Sequence, residues 1–220
     1  MQHRLRIKIC GLTREEDVRA LKNLDVDFAG FIFVPGTPRY LDISGAKKLT
    51  GLVPSGVRRV GVFLDERPET VRRIAADCGL DFLQFHGNES PEYCSRFGLP
   101  YFKTVRVLGP IETDRLAGYQ PEAFLLDTYS RRAAGGTGRT FDWSLAREAS
   151  GRGMKFLLAG GLNPENVARA IEEVRPWGVD VSSGVESAPG FKDPEKLRSF
   201  VAGARHAVPH HPTRDNYEKQ

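Results

Sequence analysis

The apolar run Phe124-Leu125-Leu126 ends abruptly in a carboxylate, Asp127, and the Gly- and Arg-rich stretch "TYSRRAAGGTGRT" follows. A carboxylate that closes a buried apolar run is costly to desolvate unless it is paired or takes part in chemistry. Near the start of the chain, "LRIKIC" ends in a thiol, Cys10. A carboxyl and a thiol facing each other across one substrate can act as acid and base. The bland alternatives are a small buried hydrophobe at Cys10 and a loop hydrogen bond at Asp127. Two glycine-bearing turns, "AGG" ending in Gly160-Gly161 and "SSGVE" with Ser183-Gly184, suit an anion. Glycine lets backbone N–H groups come close to a phosphate, and a following helix start favours its charge. Glycines also serve ordinary turns, so the pairing of the two segments carries more weight than either alone.

The elements that must position these groups alternate along the chain. Apolar runs at 5–9, 27–33, 58–64, 81–85, 101–107, 123–127, 155–161 (the seventh with its turn) and 178–184 read as eight strands. Stretches with helical spacing separate them, with a short helix expected after the fifth strand. Thr13 with Glu16 suggests a capping box before the first helix. A second helix is expected around 44–53, with Leu49, Leu52 and Val53 on one face. Val71, Ile74, Ala75 and Cys78 form an i, i+3, i+4, i+7 stripe, and Cys94 lies beside Tyr93 and Phe97, so both cysteines read as core. Ser90-Pro91, Asn163-Pro164 and Asp193-Pro194 are helix starts, and Asp142 is a further candidate cap.

Continuous apolar strands joined by helices imply a parallel sheet covered on its outer face. Eight such units suggest closure into a (β/α)₈ TIM barrel of α/β class, expected to be one domain over residues 1–206. An open doubly wound sheet is the alternative, although Gly11 stands alone where a Gly-rich fingerprint would follow strand 1. The polar tail 207–220 is read as disordered. In a barrel, reactive groups cluster at the C-terminal strand ends. Those positions hold Cys10, Arg39, His86, Asp127, Gly160, Gly161, Asp180, Ser183 and Gly184.

Composition narrows the function classes. The 220 residues are 40% hydrophobic, so a substantial core is expected. No apolar run reaches the ~18 residues of a membrane helix, and the first residues lack a signal-peptide core, so a cytoplasmic protein is expected. Cys10, Cys78 and Cys94 are an odd set without zinc-ligand spacing. The formal charge of +4 is spread along the chain, with no aromatic–basic array for nucleic acid. A mild positive balance suits a small anionic substrate.

The motifs "KICGLT", "GFIFVPGTPRYL", "VGVF", "LQFHGNES", "LLDT", "GGTGRTFDW", "AGGLNPENV" and "DVSSGVESAPGFKD" occur in this order from Lys8 to Asp193. The sequence in this respect resembles the phosphoribosylanthranilate isomerase family. The resemblance implies a (β/α)₈ barrel in tryptophan biosynthesis that needs no metal or cofactor. It implies an Amadori rearrangement of N-(5-phosphoribosyl)anthranilate to 1-(2-carboxyphenylamino)-1-deoxyribulose 5-phosphate. Carried over by motif, Cys10 is the general base and Asp127 the general acid, while Arg39 holds the anthranilate carboxylate. His86 and Asp180 are expected substrate contacts; Gly160, Gly161, Ser183 and Gly184 are expected to hold the phosphate. The segment after Asp127 is expected to close over the substrate. Cys10 is expected to face the open mouth near Arg39. The expected partner is the small-molecule substrate, with no nucleic acid or membrane, in a monomer or homodimer. Two rivals stand beside this reading. One is a related sugar-phosphate isomerase of histidine biosynthesis, a family with aspartate where Cys10 stands. The other is a non-catalytic barrel that binds phosphorylated ligands.

Overall fold

A computed structural model describes residues 4–107, 109, 111, 116–127 and 143–207. Eight parallel strands close into a barrel in chain order. They are β1 (Arg6–Cys10), β2 (Phe28–Ile32), β3 (Arg58–Phe63), β4 (Phe82–Phe85), β5 (Tyr101–Arg106), β6 (Ala123–Asp127), β7 (Phe156–Ala159) and β8 (Gly178–Val181). Closure between β1 and β8 sets Lys8 in register with Asp180 and excludes the open sheet. The described helices are α1 (Glu15–Ala20), α2 (Ile43–Thr50), α3 (Pro68–Asp77), α4 (Pro91–Ser95), α5 (Ser144–Gly151), α6 (Val167–Val174) and α7 (Pro194–His206).

Side chains alternate between the two faces of each strand. Ile7 and Ile9 of β1, Phe31 of β2, Phe63 of β3, Phe85 of β4 and Leu158 of β7 point outward and are buried beneath the helices. The helices supply matching stripes: Val167, Ala170, Ile171 and Val174 on α6, and Leu197, Phe200, Val201 and Ala204 on α7. Cys78 and Cys94 are buried in this layer, as their spacing predicts.

The opposite parity fills the barrel. At its lower end Phe28, Phe82 and Phe102 pack ring on ring, with centroids 5.2–5.3 Å apart. Trp177 adds to this floor, 6.2 Å from Phe28. Phe102 is fully buried, so its loss to alanine would cost about 3–5 kcal/mol. The same parity carries upward to Lys8 and Cys10, Gln84 and His86, Thr104, Asp127, and Asp180 and Ser182. Along these interior-facing positions the floor is apolar and the mouth is polar.

Several local expectations are corrected. The eighth strand ends sooner than expected, which releases Ser182–Gly184 into a loop at the mouth beside the expected turn at Gly160-Gly161. Ser183–Val185 then forms a 3₁₀ turn. No capping box forms at α1: the Thr13 hydroxyl donates to the Gly190 carbonyl instead. Arg14 braces that helix start through Asp17, with Nε–Oδ2 at 2.9 Å and Nη2–Oδ1 at 2.6 Å. Asn163 caps the turn that precedes α6, its Oδ1 accepting from the N–H groups of Glu165 and Asn166 at 3.0 Å. Ser90 and Asp193 cap α4 and α7 as expected. The sequence does not reveal the antiparallel hairpin of β9 (Glu186–Ala188) and β10 (Phe191–Lys192). Ala207 is buried at the end of α7. The loop from 128 to 142, the cap at Asp142, most of the helix expected after β5, and the tail from 208 lie outside the described residues.

Candidate active site

A cavity of about 280 Å³ opens at the C-terminal end of the barrel. It lies near the lower end of the ~300–1,000 Å³ range usual for small-molecule sites. Its lining brings together Cys10, His86, Asp127, Gly160, Gly161, Asp180, Ser183 and Gly184, eight of the nine residues singled out from the sequence. Arg39 is the exception, since it does not line this cavity.

Cys10 ends β1 and sits beside Gly30 of β2, its partner in register. A β-carbon at position 30 would lie 2.8 Å from the Cys10 sulfur, so the glycine makes room for the thiol. Cys10 is only 5% exposed, which corrects the expectation of an open thiol. Burial pushes its pKa up; the nearby Lys8 and, more weakly, Lys192 oppose this without prevailing. Below it, Lys8 is fully buried and pairs with Asp180 at 2.8 Å. Burial alone would lower the Lys8 pKa, but Asp180 and Cys10 outweigh it and the net direction is upward.

Asp127 ends β6 on the far side of the cavity, with its side chain 26% exposed. His86 Nε2 lies 3.9 Å from Asp127 Oδ2, too far for a hydrogen bond. The other ring nitrogen, Nδ1, is 3.2 Å from the Thr104 hydroxyl and 3.4 Å from Gln84 Nε2. Burial lowers the His86 pKa and outweighs the opposing pull of Asp127, so the ring is neutral near pH 7. When Nδ1 accepts from these donors, the proton resides on Nε2, toward Asp127.

Gly160 and Gly161 take φ of +89° and +71°, a conformation that strains other residues. Gly184 packs against the Leu162 carbonyl so closely that a β-carbon would overlap it. The two loops thus meet backbone to backbone, and both line the cavity. Gln84 Oε1 and Ser182 Oγ, both on residues that line it, are buried without a hydrogen-bond partner among the described residues. Orphaned polar atoms of this kind suit a polar ligand. No group of three or more His, Cys, Asp or Glu among the described residues is arranged to hold a metal ion.

Arg39 is tied to Glu186 of β9, with Nε–Oε1 at 2.8 Å and Nη2–Oε2 at 2.5 Å. Glu186 also accepts from Lys192 Nζ at 2.8 Å. Burial would raise the Glu186 pKa, but these cations hold it below the usual range. Lys8, Gln84, Glu186 and Lys192 are not among the residues singled out from the sequence. Strand parity could have flagged Lys8 and Gln84, two residues before Cys10 and His86. Glu186 and Lys192 had no such signal, because the hairpin that carries them was not foreseen.

A parallel eight-stranded barrel with an acid, a thiol and glycine loops at its C-terminal mouth defines a TIM-barrel enzyme that handles a small polar substrate. A family model for N-(5'-phosphoribosyl)anthranilate (PRA) isomerase matches residues 7–203, and the chain belongs to that family. It is accordingly an isomerase. Among its relatives, N-(5'-phosphoribosyl)anthranilate isomerase of Desulforudis audaxviator is 48% identical, covering 92% of this chain and 98% of the relative. The protein of that name from Trichlorobacter lovleyi is 44% identical, over 93% of this chain and all of its own length. The crystal structure of phosphoribosyl anthranilate isomerase from Thermotoga maritima superposes with a TM-score of 0.84 at 40% identity, covering 92% of this chain and 100% of that one. A phosphoribosyl anthranilate isomerase in complex with reduced 1-(o-carboxyphenylamino)-1-deoxyribulose 5-phosphate superposes with a TM-score of 0.81 at 38% identity, with the same coverage.

Proposed function

We propose that the chain converts N-(5-phosphoribosyl)anthranilate to 1-(2-carboxyphenylamino)-1-deoxyribulose 5-phosphate in tryptophan biosynthesis, with Asp127 as general acid and Cys10 as general base. The observation that carries these roles is that the carboxyl and the thiol line one cavity from opposite strands, β6 and β1. The Asp127 carboxyl gives its proton to the furanose ring oxygen. The C1′–O bond breaks, and the anthranilate nitrogen becomes an iminium. The Cys10 thiolate then removes the hydrogen on C2′. The resulting enolamine takes a proton at C1′ and gives up the proton of its C2′ hydroxyl to become the ketone, so substrate and product are isomers.

The raised Cys10 pKa gives the iminium a further part. A cation formed beside a buried thiol favours the thiolate at the moment it is needed. His86, neutral and anchored through Nδ1, and Asp180, held by Lys8, contact the sugar hydroxyls. The loops at Gly160, Gly161, Ser183 and Gly184 take the phosphate. Arg39 takes the anthranilate carboxylate. Its guanidinium has five N–H donors, and Glu186 accepts two of them. The Nη1–Nη2 edge retains a second fork for a carboxylate.

The rest of this reading is a small-molecule substrate, a cytoplasmic location, and a monomer or homodimer. No helix among the described residues is long and apolar enough to cross a membrane. Dimerisation is described for the Thermotoga maritima relative. Phosphoribosylanthranilate supplied to the protein should lose its fluorescence in proportion to enzyme concentration. An unchanged signal would leave a barrel that binds phosphorylated ligands without turning them over. The histidine-pathway rival is disfavoured by the thiol at Cys10, where that family carries an aspartate.

A further inference from the structure

The hairpin of β9 and β10 brings Glu186 and Lys192 to the rim of the mouth. Both are almost fully buried. The Lys192 ammonium has three acceptors: the Cys10 carbonyl at 2.6 Å, the Ser182 carbonyl at 3.1 Å and Glu186 Oε1 at 2.8 Å. Its three donors are therefore occupied in tying the ends of β1 and β8 to the hairpin. Glu186 has one negative charge against two cations, Lys192 and Arg39. The cluster keeps one net positive charge, on the side of Arg39.

Arg39 is held from two directions. Glu186 grips its Nε–Nη2 edge with two parallel hydrogen bonds. Its stem lies over Gly11, where a β-carbon would come within 2.5 Å of Arg39 Cδ. Gly11 has φ +74° and opens that space. An arginine on a loop would otherwise lose much rotamer freedom on binding a ligand. Here that freedom is already removed, and the outer edge of the guanidinium is the one left to a carboxylate.

We propose that Glu186 is the positioning residue for substrate carboxylate recognition, presenting the Nη1–Nη2 edge of Arg39 to the anthranilate carboxylate. The proposal rests on the assignment of Arg39 to that carboxylate. It concerns affinity rather than the proton transfers at Asp127 and Cys10, so its signature is in KM.

The test compares Glu186→Gln, Arg39→Ala and the double variant. In Glu186→Gln, KM for phosphoribosylanthranilate should rise about tenfold, with kcat within about threefold of the parent. Inhibition by inorganic phosphate should stay unchanged, since the phosphate loops are untouched. In the Arg39→Ala background, Glu186→Gln should add less than about twofold to KM, because the two residues act as one unit. Full multiplication of the two effects would overturn the proposal, as would a fall in kcat at unchanged KM. A normal KM in Glu186→Gln beside a raised KM in Arg39→Ala would also overturn it. A normal KM in Arg39→Ala would instead remove the Arg39 assignment itself. Should Glu186→Gln fail to fold, Glu186→Asp carries the same test. It keeps the charge for Lys192 but is too short to hold both Arg39 nitrogens, so the same KM rise is expected. An unchanged KM in that variant would count against the proposal.

Discussion

Lys8 and Asp180 face each other in register across the seam where β1 meets β8, and their side chains pair at 2.8 Å within the barrel. The pair spans the closing seam, and Asp180 also lines the cavity. Removing one member leaves a buried charge without its counter-ion. Lys8→Met should therefore lower stability by about 3–5 kcal/mol. Urea unfolding followed by circular dichroism measures this, and a variant as stable as the parent would show that the pair is not sealed from water.

Asp127→Asn keeps the shape of the side chain but cannot protonate the ring oxygen. Its kcat should fall by about 10²–10⁴-fold. Inhibition by inorganic phosphate should persist, because the amide leaves the glycine loops intact. Near-normal turnover in steady-state assays would take Asp127 out of the mechanism.

Cys10, Cys78 and Cys94 are all buried, so exposure alone does not single out the reactive thiol. Cys10 alone of the three lines the cavity. Burial pushes the Cys94 thiol up to about 12 and raises Cys78 as well. Iodoacetamide should therefore modify Cys10 first, though slowly. The thiolate is the reactive form and the Cys10 pKa lies above its ordinary value. The labelling rate should thus rise about tenfold per pH unit from neutral pH upward, with no plateau below about pH 9. A reduced product analogue should protect it. Mass spectrometry reads the site, and faster labelling of Cys78 or Cys94 with loss of activity would contradict this order.

Gly184→Ala places a β-carbon into the Leu162 carbonyl. The loop after β7 must then shift away from the turn at Ser183–Val185. Inorganic phosphate should inhibit this variant about tenfold less well, which corresponds to about 1.4 kcal/mol of lost binding. Unchanged inhibition would move the phosphate elsewhere in the mouth.

The eight strands and the order of their chemistry-bearing ends were legible in the sequence. Apolar runs such as Phe124-Leu125-Leu126 need cover on both faces, which points to a parallel sheet with helices; eight of them suggest a barrel, and the β1–β8 pairing excludes the open sheet. Asp127 and Cys10 stood out because a polar atom at the end of such a run has to be explained. The stripe containing Cys78 and the caps at Ser90 and Asp193 were legible for the same reason: each depends on neighbours a few residues away.

Only the tertiary structure decided which distant groups meet. Lys8 and Asp180 are 172 positions apart, and Arg39 and Glu186 are 147 apart. No local pattern encodes such partners. Closure of the barrel brings β1 beside β8, and that contact turns a lysine in an apolar strand into a buried counter-ion. The short hairpin at Glu186–Lys192 is held by long-range bonds to Arg14 and Asp17 at α1, so its own sequence carries little sign of it. The same packing that gathers these charges also buries Cys10. Its type and place came from the sequence, whereas its protonation state comes from the low-dielectric surroundings that the folded chain creates.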